Sequence, residues 1–140
     1  MTAKEFLEQY REANRIARRL RAEYEKELLQ IDAIKSVSDI DGMPHGNGIQ
    51  KSVEDKAIRL ADKAAVWKMA ELDALRIRQE VFDQIYDIPG VEGDILYERY
   101  VNLLKWSDIT GIVHLSWESV RKHHIKALAI VDDKIKSCTM

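Results

Sequence analysis

One cysteine, two prolines and six glycines are all that this 140-residue chain holds of those residue types. A single thiol, Cys138, cannot close an intramolecular disulfide and fits a reducing compartment. No histidine or acid arrangement supports Cys138 as a nucleophile, so it reads as an inert tail residue. The few prolines and glycines cluster mainly in two short stretches, which leaves long segments free to be helical. The formal net charge is −2, so no global basic field announces nucleic acid, and any such binding must come from a local patch. No apolar run approaches the roughly 18 residues of a membrane span. The opening MTAKEFLEQY is charged from its fourth residue, unlike a signal peptide. The expectation is a soluble, intracellular protein with no membrane contact.

Chemistry-bearing constellations are equally scarce. The segment MPHGNG lacks the spacing and the lysine of a phosphate loop. His123 and His124 are neighbours that point about 100° apart on a helix, so a shared metal ion with His114 is not expected. His45 falls in a polar break and reads as solvated, and Asp132-Asp133 as a solvated helix face. No nucleophile, base and orienting group come together. We therefore expect no enzyme activity, no catalytic residue, no cofactor and no metal.

What the chain does have is 46% hydrophobic and 33% charged residues, a globular, helix-friendly balance. From about Thr2 to Val37, apolar residues fall at Phe6, Tyr10, Ala13, Ala17, Leu20, Tyr24, Leu28 and Ile31. Spacings of three and four predict one face of a long helix, and Thr2 with Glu5 predicts a capping box. Residues 36–52, SVSDIDGMPHGNGIQKS, punctuate strongly and predict a flexible loop. A second helix is predicted from near Ser52, capped by that residue with Asp55 three residues on. Its stripe is Ile58, Ala61, Ala65, Met69, Leu72, Leu75, Phe82 and Ile85, and it ends before Ile88-Pro89-Gly90. Two such helices and one loop predict an antiparallel, coiled-coil-like hairpin over residues 1–88. A hairpin is one layer deep, so its apolar stripes call for a second copy or for cover from the C-terminal part.

Residues 89–136 predict a compact helical head. Ile95, Leu96, Tyr100, Leu103 and Leu104 mark a helix ending at Lys105. A short helix follows, capped by Ser107, with Ile109, Ile112 and Val113 inward. His114-Leu115-Ser116 is a tight turn whose Ser116 caps a longer helix from Trp117 to about Ile135. Its inward residues are Val120, His123 or His124, Ala127, Leu128 and Val131. Thr110 is the small residue expected where the two helices approach. This grammar is that of helix-turn-helix proteins, in which the second helix enters the DNA major groove. The outward face would be Trp117, Glu118, Ser119, Arg121, Lys122 and Lys126. Arginine and lysine bond guanine edges or phosphates, and glutamate accepts from cytosine. From Arg121 to Lys126 every charge is positive. The alternative is an ordinary three-helix unit with exposed lysines.

Trp106 reads as core and Trp67 as a packing residue off the main stripe of its helix. Trp117 either contacts DNA or packs back onto the short helix. Arg11, Arg15, Arg18, Arg19 and Arg21 form a second basic cluster, which reads as paired with glutamates on a solvated helix face.

The runs Tyr100–Ile109 and Leu115–His124, with Ala127-Leu128, resemble the fourth-region domain of bacterial sigma factors. In layout the whole chain resembles the small phage regulators of the ArpU and RinA type, which join a coil-forming half and a Gly/Pro/Ser-rich loop to a sigma-like head. The resemblance implies a phage-encoded, sequence-specific DNA-binding transcription regulator of late packaging and lysis genes, acting in the cytoplasm of a bacterial host. It implies the recognition-helix residues Trp117, Glu118, Ser119, Arg121 and Lys122, with Lys126 further along. Two positions depart from the pattern: His114 stands where the turn usually has glycine, and His123 where an inward aliphatic is usual. Double-stranded DNA is the expected partner, a homodimer the expected assembly, and RNA polymerase a candidate contact. The rival reading is a protein-interaction module or inhibitor whose hairpin docks a host protein such as RNA polymerase.

Overall fold

A computed structural model describes the backbone of residues 1–41 and 47–138 and the side chains of 1–33 and 53–138. Every regular element among the described residues is helical: α1 (Ala3–Asp41), α2 (Asn47–Ile85), α3 (Gly90–Leu96) running into a π turn (Tyr97–Val101), α4 (Trp106–Val113) and α5 (Trp117–Cys138). Among the described residues, no helix is long and apolar enough to cross a membrane.

The capping box at the start of α1 forms. Glu5 N–H donates to Thr2 Oγ1 at 3.2 Å and Thr2 N–H to Glu5 Oε2 at 3.3 Å, so two orphan donors are satisfied reciprocally. The break between the long helices is shorter than the 36–52 loop expected. Helix continues to Asp41 and resumes at Asn47, so Ser52 is inside α2 rather than capping it. Polar residues such as Ser, Asp and Gln disfavour helix only weakly, and punctuation overstated the loop. His45 and the middle of that loop lie outside the described residues.

The chain divides into two units, Met1–Ala13 with Asp73–Met140, and Asn14–Leu72. In the first, Ala3, Leu7, Val81, Ile85, Ile88, Leu96, Tyr100, Val101, Ala127 and Val131 form the main core. A smaller core joins Ile95, Ile109 and Val120, flanked by Val91, Leu104, Trp106, Val113 and Leu115. Ala3 N–H donates to Asp132 Oδ1 at 2.8 Å, and Lys134 Nζ donates to Gln84 O at 2.8 Å and to the Asp87 carboxylate.

In the second unit α1 packs antiparallel against α2. Tyr24 stacks on Trp67 with ring centroids 5.6 Å apart, Arg21 lies over the same indole at 5.4 Å, and Lys63 reaches Glu27 at 3.2 Å. Trp67 is thus a packing residue, in keeping with its place off the stripe. The expected α2 stripe is largely uncovered in the single chain: Ile58, Met69 and Leu72 are each 62% exposed and Leu75 54%. Only its end, Phe82 and Ile85, packs into the core. Apolar residues occupy two faces of α2, and the inner one uses Trp67, Ala74, Ile77 and Val81. Periodicity counts both faces alike and cannot choose between them.

Candidate nucleic-acid interface

The turn between α4 and α5 is fixed by backbone geometry. His114 has φ 56° and ψ 40°, and its N–H closes back onto Thr110 O. Leu115 N–H reaches the same carbonyl at 3.3 Å. Histidine tolerates this left-handed conformation better than most residues, so the absence of glycine does not unmake the turn. Ser116 Oγ accepts from Ser119 N–H at 3.3 Å, the N-cap expected. Thr110 serves the turn through its carbonyl, and its hydroxyl donates to Ser107 O at 2.7 Å.

Two boundaries differ from expectation. The helix before the turn begins at Trp106, with Lys105 extended ahead of it and no side-chain cap, so Ser107 sits in the first turn. The preceding helix does not run to Lys105. It loosens into the π turn at Tyr97–Val101 and stops as Leu103 enters the left-handed region at φ 57°. Leu103 carries no mark in the sequence for such a conformation, which glycine or asparagine would have supplied.

The inner side of α5 is well anchored. Val120, Ala127 and Val131 are fully buried. Of the two histidines it is His124 that turns inward, with Nε2 2.7 Å from the Tyr100 hydroxyl and its ring edge-on to Trp106 at 4.7 Å. Burial, more than the nearby cations Lys4 and Arg99, pulls the His124 pKa down to about 4, so it packs as a neutral ring. Burial likewise pushes the Tyr100 hydroxyl up to about 12. His123 is half-buried and bonds Glu92 at 2.9 Å, a hydrogen bond that holds the Glu92 carboxyl below its ordinary range. The two histidines therefore have separate partners on separate elements.

Trp106 organises the base of the site. Arg99 lies 4.6 Å above its ring and donates from Nη1 to Leu104 O at 3.0 Å, while the Trp117 ring stands edge-on to Trp106 at 5.5 Å. Trp117 is 48% exposed. It packs back onto Trp106 of α4, as one of the two expectations had it, and still presents one side outward.

Glu118, Arg121, Lys122 and Lys126 are exposed on α5. Ser119, of the same expected set, is half-buried, and its backbone N–H makes the Ser116 cap. Sequence reasoning missed Ile125, 59% exposed and set between Arg121, Lys122 and Lys126. Its spacing of three and four from Lys122 and Arg121 is the available signal. The second basic cluster is partly internal. Arg11 pairs with Glu8 at 3.4 Å and donates to Arg99 O at 3.0 Å, and Arg21 pairs with Glu25 at 3.2 Å, in line with the expected glutamate pairing.

Compared with known proteins, the chain matches no family model, no curated protein and no solved structure.

Proposed function

We propose that this protein is a sequence-specific regulator of transcription that binds double-stranded DNA through α5, with α4, the His114 turn and α5 acting as a helix-turn-helix. The observation that carries the reading is the α5 surface. Arg121, Lys122 and Lys126 are exposed on a 22-residue helix whose opposite side is locked by Val120, His124, Ala127 and Val131. A rigid helix with a cationic outer face suits entry into the major groove. Arg121 and Lys122 are suited to guanine edges or phosphates and Glu118 to a cytosine amino group. Ile125 and the open side of Trp117 offer apolar contact to thymine methyl groups, and Lys126 a phosphate contact. Ser119 does not act on bases in this scheme.

The resemblance of Tyr100–Ile109 and Leu115–His124, with Ala127-Leu128, to sigma fourth regions supports the same role. With the ArpU/RinA-like layout it favours the cytoplasm of a phage-infected bacterium, action on late genes, and RNA polymerase as a candidate neighbour. Homodimerisation belongs to this proposal: the exposed Ile58, Met69 and Leu72 on the helical hairpin form a face that a second copy would cover. Two heads would then read half-sites roughly 10 base pairs apart or a multiple of it.

Charge reversal tests the reading. Arg121→Glu with Lys122→Glu should abolish binding in a gel-shift titration and leave the circular dichroism spectrum and melting temperature in place, since both residues are exposed. Retained DNA affinity in a folded double variant would remove α5 from the interface.

A further inference from the structure

Around the junction of α2 and α3, in the same unit as α5, the chemistry is opposite. From Gln79 to Glu98 the sequence holds Glu80, Asp83, Asp87, Glu92, Asp94 and Glu98 and not one lysine or arginine. Glu80 is paired with Arg76, Asp87 with Lys134 and Glu92 with His123, which leaves the charge of Asp83, Asp94 and Glu98. Within this stretch lies a cavity of about 280 Å³ lined by Phe82, Ile85, Tyr86, Ile88, Gly93, Asp94 and Tyr97. Its rims are aromatic. Tyr86 is 67% exposed and Tyr97 38%. Phe82 stands between them, stacked with Tyr86 at 5.8 Å and edge-on to Tyr97 at 6.3 Å, with planes 68° apart. The floor is main chain: a Cβ on Gly93 would lie 1.9 Å from Ile88 O, so only glycine keeps this approach. Asp94, exposed, is the carboxylate on the lining, while Asp87 is held by Lys134.

Aromatic faces attract a cation through their quadrupole within about 6 Å of the ring centroid, and a carboxylate at the rim supplies the matching charge. We infer that this cavity is a docking site for the basic side chains of a protein partner, an arginine or lysine seated against Tyr86 and Tyr97 with Asp94 as its counter-ion. The acidic surroundings select the occupant. They repel the phosphates that α5 would bind, and they raise the local concentration of a cationic segment. A purely apolar partner would leave the Asp94 carboxylate beside its own surface with no counter-ion. The inference stands apart from the DNA-binding reading, because none of its residues lies on α5.

The test is a titration of the full chain, followed by ¹⁵N–¹H spectra, with a ten-residue peptide alternating arginine and serine. Its control is the same peptide with citrulline, the neutral isostere, for arginine. The arginine peptide should shift the amides of Gly93, Asp94 and Tyr97, and the citrulline peptide should not. Asp94→Asn and Tyr86→Ala should each weaken binding roughly three- to fivefold. Asp83→Asn, which removes the same charge outside the cavity, should change it less than twofold. Arg121→Glu/Lys122→Glu should leave the shifts at Gly93 and Tyr97 in place whatever it does to DNA. Equal binding of the citrulline peptide, equal loss in Asp83→Asn and Asp94→Asn, or shifts that avoid the cavity would overturn the inference.

Discussion

The two units of this chain are built from the same two long helices, yet they bury very different amounts of apolar surface. In the unit of residues 1–13 and 73–140, α3, α4 and α5 close over the helix ends, and Leu7, Val81, Ile85, Ile95, Leu96, Tyr100, Ile109, Val120 and Val131 are sealed from solvent. In the unit Asn14–Leu72, Ala17 and Ile31 are the buried apolar residues among those described, while Leu29, Ile58, Val66, Met69 and Leu72 are more than half exposed. A pair of helices has one interface and leaves its other faces wet. A third and fourth element make a core. The difference locates where stability resides, and it leaves an apolar face in the thinner unit that the dimer proposal uses.

Substitutions sharpen this contrast, and the largest effect belongs to Gly93→Ala. The new methyl would meet a carbonyl oxygen at 1.9 Å, and no flexible side chain is there to give way. We expect a loss of at least ~3 kcal/mol in urea denaturation. Gly111 is the matched control: a Cβ added there would find nothing within 4 Å, and alanine should stabilise by up to ~1 kcal/mol through helix propensity. Next comes burial itself. Ile95→Ala, at a sealed position, should cost roughly 2–5 kcal/mol, whereas Met69→Ala, at a position 62% exposed, should change stability by about 0.5 kcal/mol or less at protein concentrations where the chain is monomeric. Equal effects at 95 and 69 would break the comparison.

Acid should act on the well-packed unit through His124. Its folded pKa is about 4 against an ordinary 6.5, so the unfolded chain binds the proton more readily between those values. The contribution is fully present above pH 6.5 and is lost as pH falls toward 4. The size should be about 1–2 kcal/mol after allowance for its partial exposure. Urea midpoints at pH 7.5 and 4.5 measure it, and His124→Gln should flatten the slope over that window. A wild-type slope that survives the substitution would assign the acid sensitivity elsewhere.

Much of the better-packed unit is legible in the sequence because its signals are local. The Thr2/Glu5 box, the Ser116 cap, the His114 turn and the spacing of Val120, Ala127 and Val131 each follow from residues a few positions apart. The exposed set Trp117, Glu118, Arg121, Lys122 and Lys126 follows from that register. What stays hidden depends on contacts distant in sequence. Which face of α2 turns inward is decided by its partners, and two apolar faces look alike to a period count. The choice of His124 over His123 rests on Tyr100 and Trp106 for one and Glu92 for the other. Leu103 adopts a left-handed backbone with no glycine or asparagine to announce it. The helical register puts Ser119 outward, and the fold leaves it half-buried.

The measurement that bears most directly on α5 as a DNA-reading helix is fluorescence anisotropy with duplex DNA from upstream of the neighbouring genes, against random DNA of the same length, between 50 and 200 mM salt. With Lys126 on a phosphate and Arg121 and Lys122 on phosphates or guanine edges, the log–log salt slope should lie between about −1 and −3 per head. The affinity should exceed that for random DNA by about 10³-fold or more, and the charge-reversed chain should lose both properties. A wild-type protein that binds the two DNAs equally, or whose slope is unchanged by Arg121→Glu/Lys122→Glu, would contradict the assignment of α5 as the recognition helix.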